Sequence, residues 1–203
     1  MSKSDRQIRD IIGHLAYQIA WGWQAFHIAK YVHERRANNR INCAHYFFNG
    51  VEASTIETAV LTLARLTIPH RDESITINYL LNYVEQNREA FPQIQESAVL
   101  AAIAHHLSQL ESLNSLVANI KEQRDKTIAH LDKLHVTNPS AVYTHPPIDF
   151  QEVERAFRLL LNIVNVYAGY LRPSEEIRLD DIVPNITDDI EYLTKLVEQD
   201  NAR

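Results

Sequence analysis

The 203 residues suit one domain, their 45% hydrophobic content supplies a sizeable core, and only four glycines leave little room for a turn-rich β architecture. The lone Cys43 excludes an intramolecular disulfide and a cysteine-based zinc site within one chain. The net charge of −6 is concentrated: Ser174 to Arg203 holds nine acids and three bases, while the preceding 173 residues hold 17 of each, which excludes a globally basic nucleic-acid binder but not a local cationic groove.

The polar start, Met1-Ser2-Lys3-Ser4-Asp5-Arg6, leads into no signal-peptide core, and no stretch approaches the length of an apolar membrane span. A cytoplasmic protein with no membrane partner is expected. Residues 5–36 read as a long first helix with Ile8, Ile11, Leu15, Ile19, Trp23 and Phe26 on its buried face. It runs into Lys30, Arg35, Arg36 and Arg40, a basic cluster with His33 inside it. That cluster is either a solvated helix end suited to the macrodipole or a phosphate-tracking patch. A second helix is predicted over His45 to Thr67, with Phe47, Val51, Ile56, Val60, Leu63 and Ala64 inward, ended by Pro69. Arg65 near its end is read as an ion-pair partner of Asp72 or Glu73.

Ser74 or Thr76 caps a third helix through about Arg88, and Pro92 separates it from the fourth. The fourth runs from about Ile94 to Leu134, with a kink expected around Leu113-Asn114-Ser115. Its adjacent His105 and His106 point to different faces and read as solvated or capping residues; neither has metal-ligand spacing. Pro139, Pro146 and Pro147 mark residues 135–147 as a loop able to carry Tyr143 and His145 to a site mouth. A fifth helix opens with Asp149 and Glu152, buries Val153, Phe157, Leu160, Leu161, Val164 and Tyr167, and stops at Pro173. Thr187-Asp188-Asp189-Ile190 starts a short last helix. The expected fold is all-α: an up-and-down bundle of about five main helices over residues 1–173, then an acidic segment, 174–203, with a short helix.

The chemistry-bearing stretch is Lys121 to Lys133. Leu113, Leu116, Val117 and Ile120 form an apolar row that Ile128, Leu131 and Leu134 resume, and Arg124 falls where that row calls for an apolar side chain. A guanidinium there must reach water, a carboxylate or an anionic ligand, because leaving it unpaired costs several kcal/mol. His130 lies about 9 Å along the axis and roughly 120° round it, so it cannot touch Arg124 within the helix. Ala129 beside it is small enough to admit a facing helix. These residues suggest a site completed by a second helix.

Arg124-Asp125-Lys126-Thr127-Ile128-Ala129-His130-Leu131-Asp132 resembles the signature of the HEPN superfamily, and the closest branch is the abortive-infection U type. Ala64-Arg65-Leu66-Thr67 and Ser74 to Leu81 resemble that branch's second-to-third helix junction, and the likeness spans most of residues 10–170. The resemblance implies a homodimer with both motifs lining one cleft and a metal-independent endoribonuclease used in phage defence or as a toxin. It makes Arg124 and His130 the catalytic pair, with Asp125, Lys126 and Asp132 supporting. Lys121, Lys133, Arg35 and Arg36 are candidates for the RNA backbone. No metal or other cofactor is expected, and a nucleotidyltransferase-like antitoxin is a candidate partner.

Metal-free RNA cleavage needs a base for the 2′-OH, a cation for the developing phosphorane and an acid for the leaving oxygen. Imidazole fills either proton role and guanidinium binds phosphate bidentately, so two Arg–His sets across a two-fold axis supply the parts. In the family the residue after the arginine is often asparagine; here Asp125 can hold Arg124 and partly neutralise it. Two other readings therefore stand beside the nuclease: a non-catalytic nucleotide- or RNA-binding module of the same fold, and a helical interaction protein with a structural arginine.

Overall fold

The computed structural model describes residues 3–38, 44–68, 74–123, 149–172, 177–178 and 186–201. Among them it is all-helical, with seven α-helices: α1 (Lys3–Ala37), α2 (His45–Thr67), α3 (Ile77–Gln86), α4 (Glu96–Glu111), α5 (Asn114–Gln123), α6 (Phe150–Leu171) and α7 (Ile186–Asn201). A 3-10 turn, Arg88–Ala90, follows α3. α1 is the spine of the bundle, packing most extensively on α2, then on α6, and more lightly on α3 and α7.

The reason lies in its sequence. Ile8, Ile11, Leu15, Ile19, Trp23 and Phe26 recur every three or four residues, and all six are buried. Each such side chain contributes on the order of 2 kcal/mol on burial, against at most about 1 for an exposed ion pair, so this stripe decides how α1 lies. α6 answers it with Val153, Phe157, Leu160, Leu161, Val164 and Tyr167, all in the same core cluster. Trp23, Phe26 and Phe157 meet with ring centroids 5.6 to 6.3 Å apart, within the range of favourable aromatic pairs. Gly22 sits at this crossing. A Cβ there would lie 2.7 Å from the Phe157 ring and from Thr62 Cγ2, so the absence of a side chain is what lets three helices approach.

The starts of α3 and α6 follow the capping rules. The Thr76 hydroxyl accepts the Tyr79 amide at 3.1 Å, which selects Thr76 over Ser74 as the start of α3. Asp149 accepts the Gln151 amide at 2.8 Å and opens α6. The third helix ends at Gln86, short of Arg88, because the next residues tighten into the 3-10 turn. The kink expected near Leu113 is a full break: α4 closes with Ser112 bonding back to Gln109 and Leu110, and α5 begins anew at Asn114.

One inward assignment on α2 needs correction. Phe47 is 59% exposed, whereas its neighbour Phe48, at 3%, packs on Val32. Two adjacent phenylalanines on a helix point about 100° apart, and α1 is contacted by the second. Beyond α6, Asn165 holds Ile177 by both backbone groups: its Oδ1 accepts the Ile177 amide at 3.1 Å, and its Nδ2 donates to the Ile177 carbonyl at 2.7 Å. No helix among the described residues is long and apolar enough to cross a membrane.

Candidate functional site

The approach to the chemistry-bearing stretch is α5. Leu113, Leu116 and Ile120 are buried in the main core and Val117 is half-buried, so the apolar row predicted upstream of Arg124 does face inward. Lys121 is exposed on the same helix. The break before α5 is tied to α6, where Arg155 donates to the Ser112 carbonyl at 3.2 Å. Beside it, Thr67, Ile77, Leu107, Glu111 and Asn114 line part of a cleft of about 320 Å³. Arg124, Asp125, Lys126, His130, Asp132 and Lys133 lie outside the described residues, as do Asp72, Glu73 and the 135–147 loop with Tyr143 and His145.

Of the basic cluster at the end of α1, Arg40 lies outside the described residues, and the charges of Lys30, Arg35 and Arg36 are paired. Arg35 donates to Glu191 of α7 and Arg36 to Glu52 of α2. His33 Nδ1 lies 2.9 Å from the other Glu52 oxygen, and its ring stacks on Phe150 with centroids 5.0 Å apart. Lys30 Nζ reaches Glu154 at 2.7 Å, and Arg158 takes the second oxygen of that carboxylate at 3.1 Å. Lys30's hydrogen bond, backed by Arg158, holds the Glu154 carboxyl below its ordinary range against the opposing effect of burial.

A tighter constellation joins α1 to α7. The Tyr31 hydroxyl donates to Glu191 Oε1 at 3.0 Å, and Arg35 donates to the same oxygen while its guanidinium lies 4.9 Å over the Tyr31 ring. The Tyr31 hydrogen bond, then Arg35 and Lys195, lower the Glu191 pKa. Burial and the bond to Glu191 raise that of Tyr31. A carboxylate is thus fixed in its anionic form between a phenol and a guanidinium, a donor set that also suits a phosphate oxygen. A phosphate reaching Arg35 or Arg36 meets a carboxylate already bound there.

The sequence reading missed a buried polar pair. His106, expected to be solvated or capping, is 3% exposed, and its Nδ1 lies 2.9 Å from the Tyr167 hydroxyl. Burial first, then neighbouring His105, lowers the His106 pKa, and burial raises that of Tyr167. Both groups are therefore neutral in the core. The signal was present: Val99, Ile103 and His106 follow a four-then-three spacing, and the first two are core residues. Among the described residues no group of three or more His, Cys, Asp or Glu could hold a metal ion.

A HEPN family model described as AbiU2 matches residues 3–189. The chain belongs to the AbiU2 HEPN family. No curated protein and no solved structure matches it. In this AbiU2 chain the matched stretch takes in α1 through α6, the whole of Arg124 to Asp132 and the first residues of α7. A HEPN-type role follows from that membership.

Proposed function

We propose that this AbiU2 protein is a metal-independent endoribonuclease that acts in phage defence by abortive infection, or as a toxin. Two copies would bring two Arg124–His130 sets to one cleft. One imidazole removes the 2′-OH proton, the other protonates the leaving 5′-oxygen, and the guanidiniums hold the phosphorane. Lys126 and Asp132 support the set, and Lys121 and Lys133, with Arg35 and Arg36, guide the RNA backbone. A nucleotidyltransferase-like protein is a candidate antitoxin. The observation that supports this reading is the family match, whose bounds, residues 3–189, enclose the Arg124-to-Asp132 stretch.

The test is cleavage of single-stranded RNA by the purified chain in excess chelator. Products should end in cyclic phosphates, and Arg124→Ala and His130→Ala should each reduce the rate by at least about a hundredfold, the usual size of a positioned acid–base contribution. A strict requirement for a divalent ion refutes the mechanism, and unchanged activity in both variants refutes the site. Asp125 favours a second reading, in which its carboxylate ties down Arg124 and the fold binds nucleotide or RNA without turnover. Binding without cyclic-phosphate products selects it.

A further inference from the structure

α7 is held to the body in an unusual way. It is amphipathic, yet among its described apolar side chains Tyr192, Leu193 and Leu196 are 64, 48 and 44% exposed, and Ile190 is half-buried. The hydrogen bonds described between α7 and the body are those of Glu191 with Tyr31 and Arg35. Asp188 and Asp189, also carboxylates and within the preceding turn, are exposed. Among the described residues, the Glu191 carboxylate accepts both of these hydrogen bonds. Its two donors have the geometry of an anion subsite: the Arg35 guanidinium lies 4.9 Å over the Tyr31 ring, and the hydroxyl of that same ring delivers a second hydrogen bond to the same oxygen.

We propose that Tyr31 and Arg35 form a phosphate-binding subsite that the Glu191 carboxylate occupies in the free chain, so that α7 and an RNA backbone compete for it. This rests on the nuclease reading for the identity of the ligand, though not for the existence of the subsite. A phosphodiester shares one negative charge over two oxygens, as a carboxylate does, and guanidinium pairs with either through two hydrogen bonds, so the two anions can exchange at this position. Engagement of RNA therefore releases α7, and an engaged α7 weakens RNA. The contest is salt-dependent because partly exposed charges are screened over roughly 8 Å at physiological ionic strength.

Two measurements on the full chain test the proposal. The first is binding of a fluorescent single-stranded 2′-O-methyl RNA, which cannot be cleaved through its 2′ position. Glu191→Gln should tighten it by about fivefold at low salt, the scale of one well-placed surface contact. Asp188→Asn, which removes the same charge one turn away, should change it by less than about twofold. In an Arg35→Ala background, Glu191→Gln should have no effect, since the cycle isolates their coupling. Equal tightening by Glu191→Gln and Asp188→Asn, or tightening that survives Arg35→Ala, overturns the subsite. The second is tryptic cleavage after Lys195, which short inorganic polyphosphate should accelerate in the wild type but not in Glu191→Gln. Acceleration by polyphosphate without RNA binding keeps the subsite and removes RNA as its ligand. No acceleration, with no difference between the two proteins, removes the subsite itself. Thermal melts check that Arg35→Ala remains folded.

Discussion

At the scale of single residues, the His106–Tyr167 pair shows how one hydrogen bond shapes a core. An apolar interior accepts a ring nitrogen and a hydroxyl only when each satisfies the other. Tyr167→Phe removes one side of that exchange and should cost about 1 to 3 kcal/mol in urea unfolding, with the secondary structure unchanged. The histidine also couples folding to acidity. Its folded pKa lies below the ordinary 6.5, so the unfolded chain binds the proton more readily. Its contribution to stability is complete above about pH 6.5 and is lost as pH falls from there through the lower folded value. Urea midpoints measured from about pH 8 to 5 should decline, and His106→Gln, which keeps a polar partner for Tyr167, should decline less.

At the scale of helices, packing outranks propensity. Alanine is a better helix former than glycine by about 1 kcal/mol, so Gly22→Ala would stabilise an isolated α1. In the bundle its Cβ meets Phe157 and Thr62 at 2.7 Å, and overpacking of this kind typically costs about 1 to 3 kcal/mol. The expected outcome is a net loss of stability, read from the urea midpoint; a gain would show that α1, α2 and α6 part easily. The same distinction sets what could be read from the sequence. The faces of α1 and α6 were legible because each carries a long stripe with one period, and the end of α2 at Thr67 was legible because Pro69 follows in the sequence. Phe47 and Phe48 were not separable, since adjacent aromatics leave the facing partner, Val32, to choose between them. The α4–α5 break showed only as an Asn-Ser pair, because the α4 carbonyls that close it involve main chain common to every residue. Arg35 and Arg36 were visible as a basic cluster, but the carboxylates they pair with stand 156 and 16 residues away, a distance that no local pattern spans.

At the scale of the molecule, the nuclease reading requires two chains. Ala129 beside His130 is the small residue that would admit a facing helix, and Ala129→Arg should split the dimer by burying an unpaired charge. Light scattering at micromolar concentration should give twice the chain mass for the wild type and the single mass for the variant, with RNA cleavage lost in parallel. An active monomer would reject the shared cleft. The acidic tail must be handled separately in such work, and the Asn165–Ile177 clamp says where to cut. Ending the chain at Pro173 strips Asn165 of both backbone partners, so any change in behaviour would mix damage to α6 with removal of charge. Ending it after Arg178 keeps that root in place. The clamp also gives the tail a root of its own: Ile177 stays bonded to α6 whether Glu191 holds Tyr31 and Arg35 or lets them go, so a reporter fused after Arg178 should leave the core of Trp23, Phe26 and Phe157 intact.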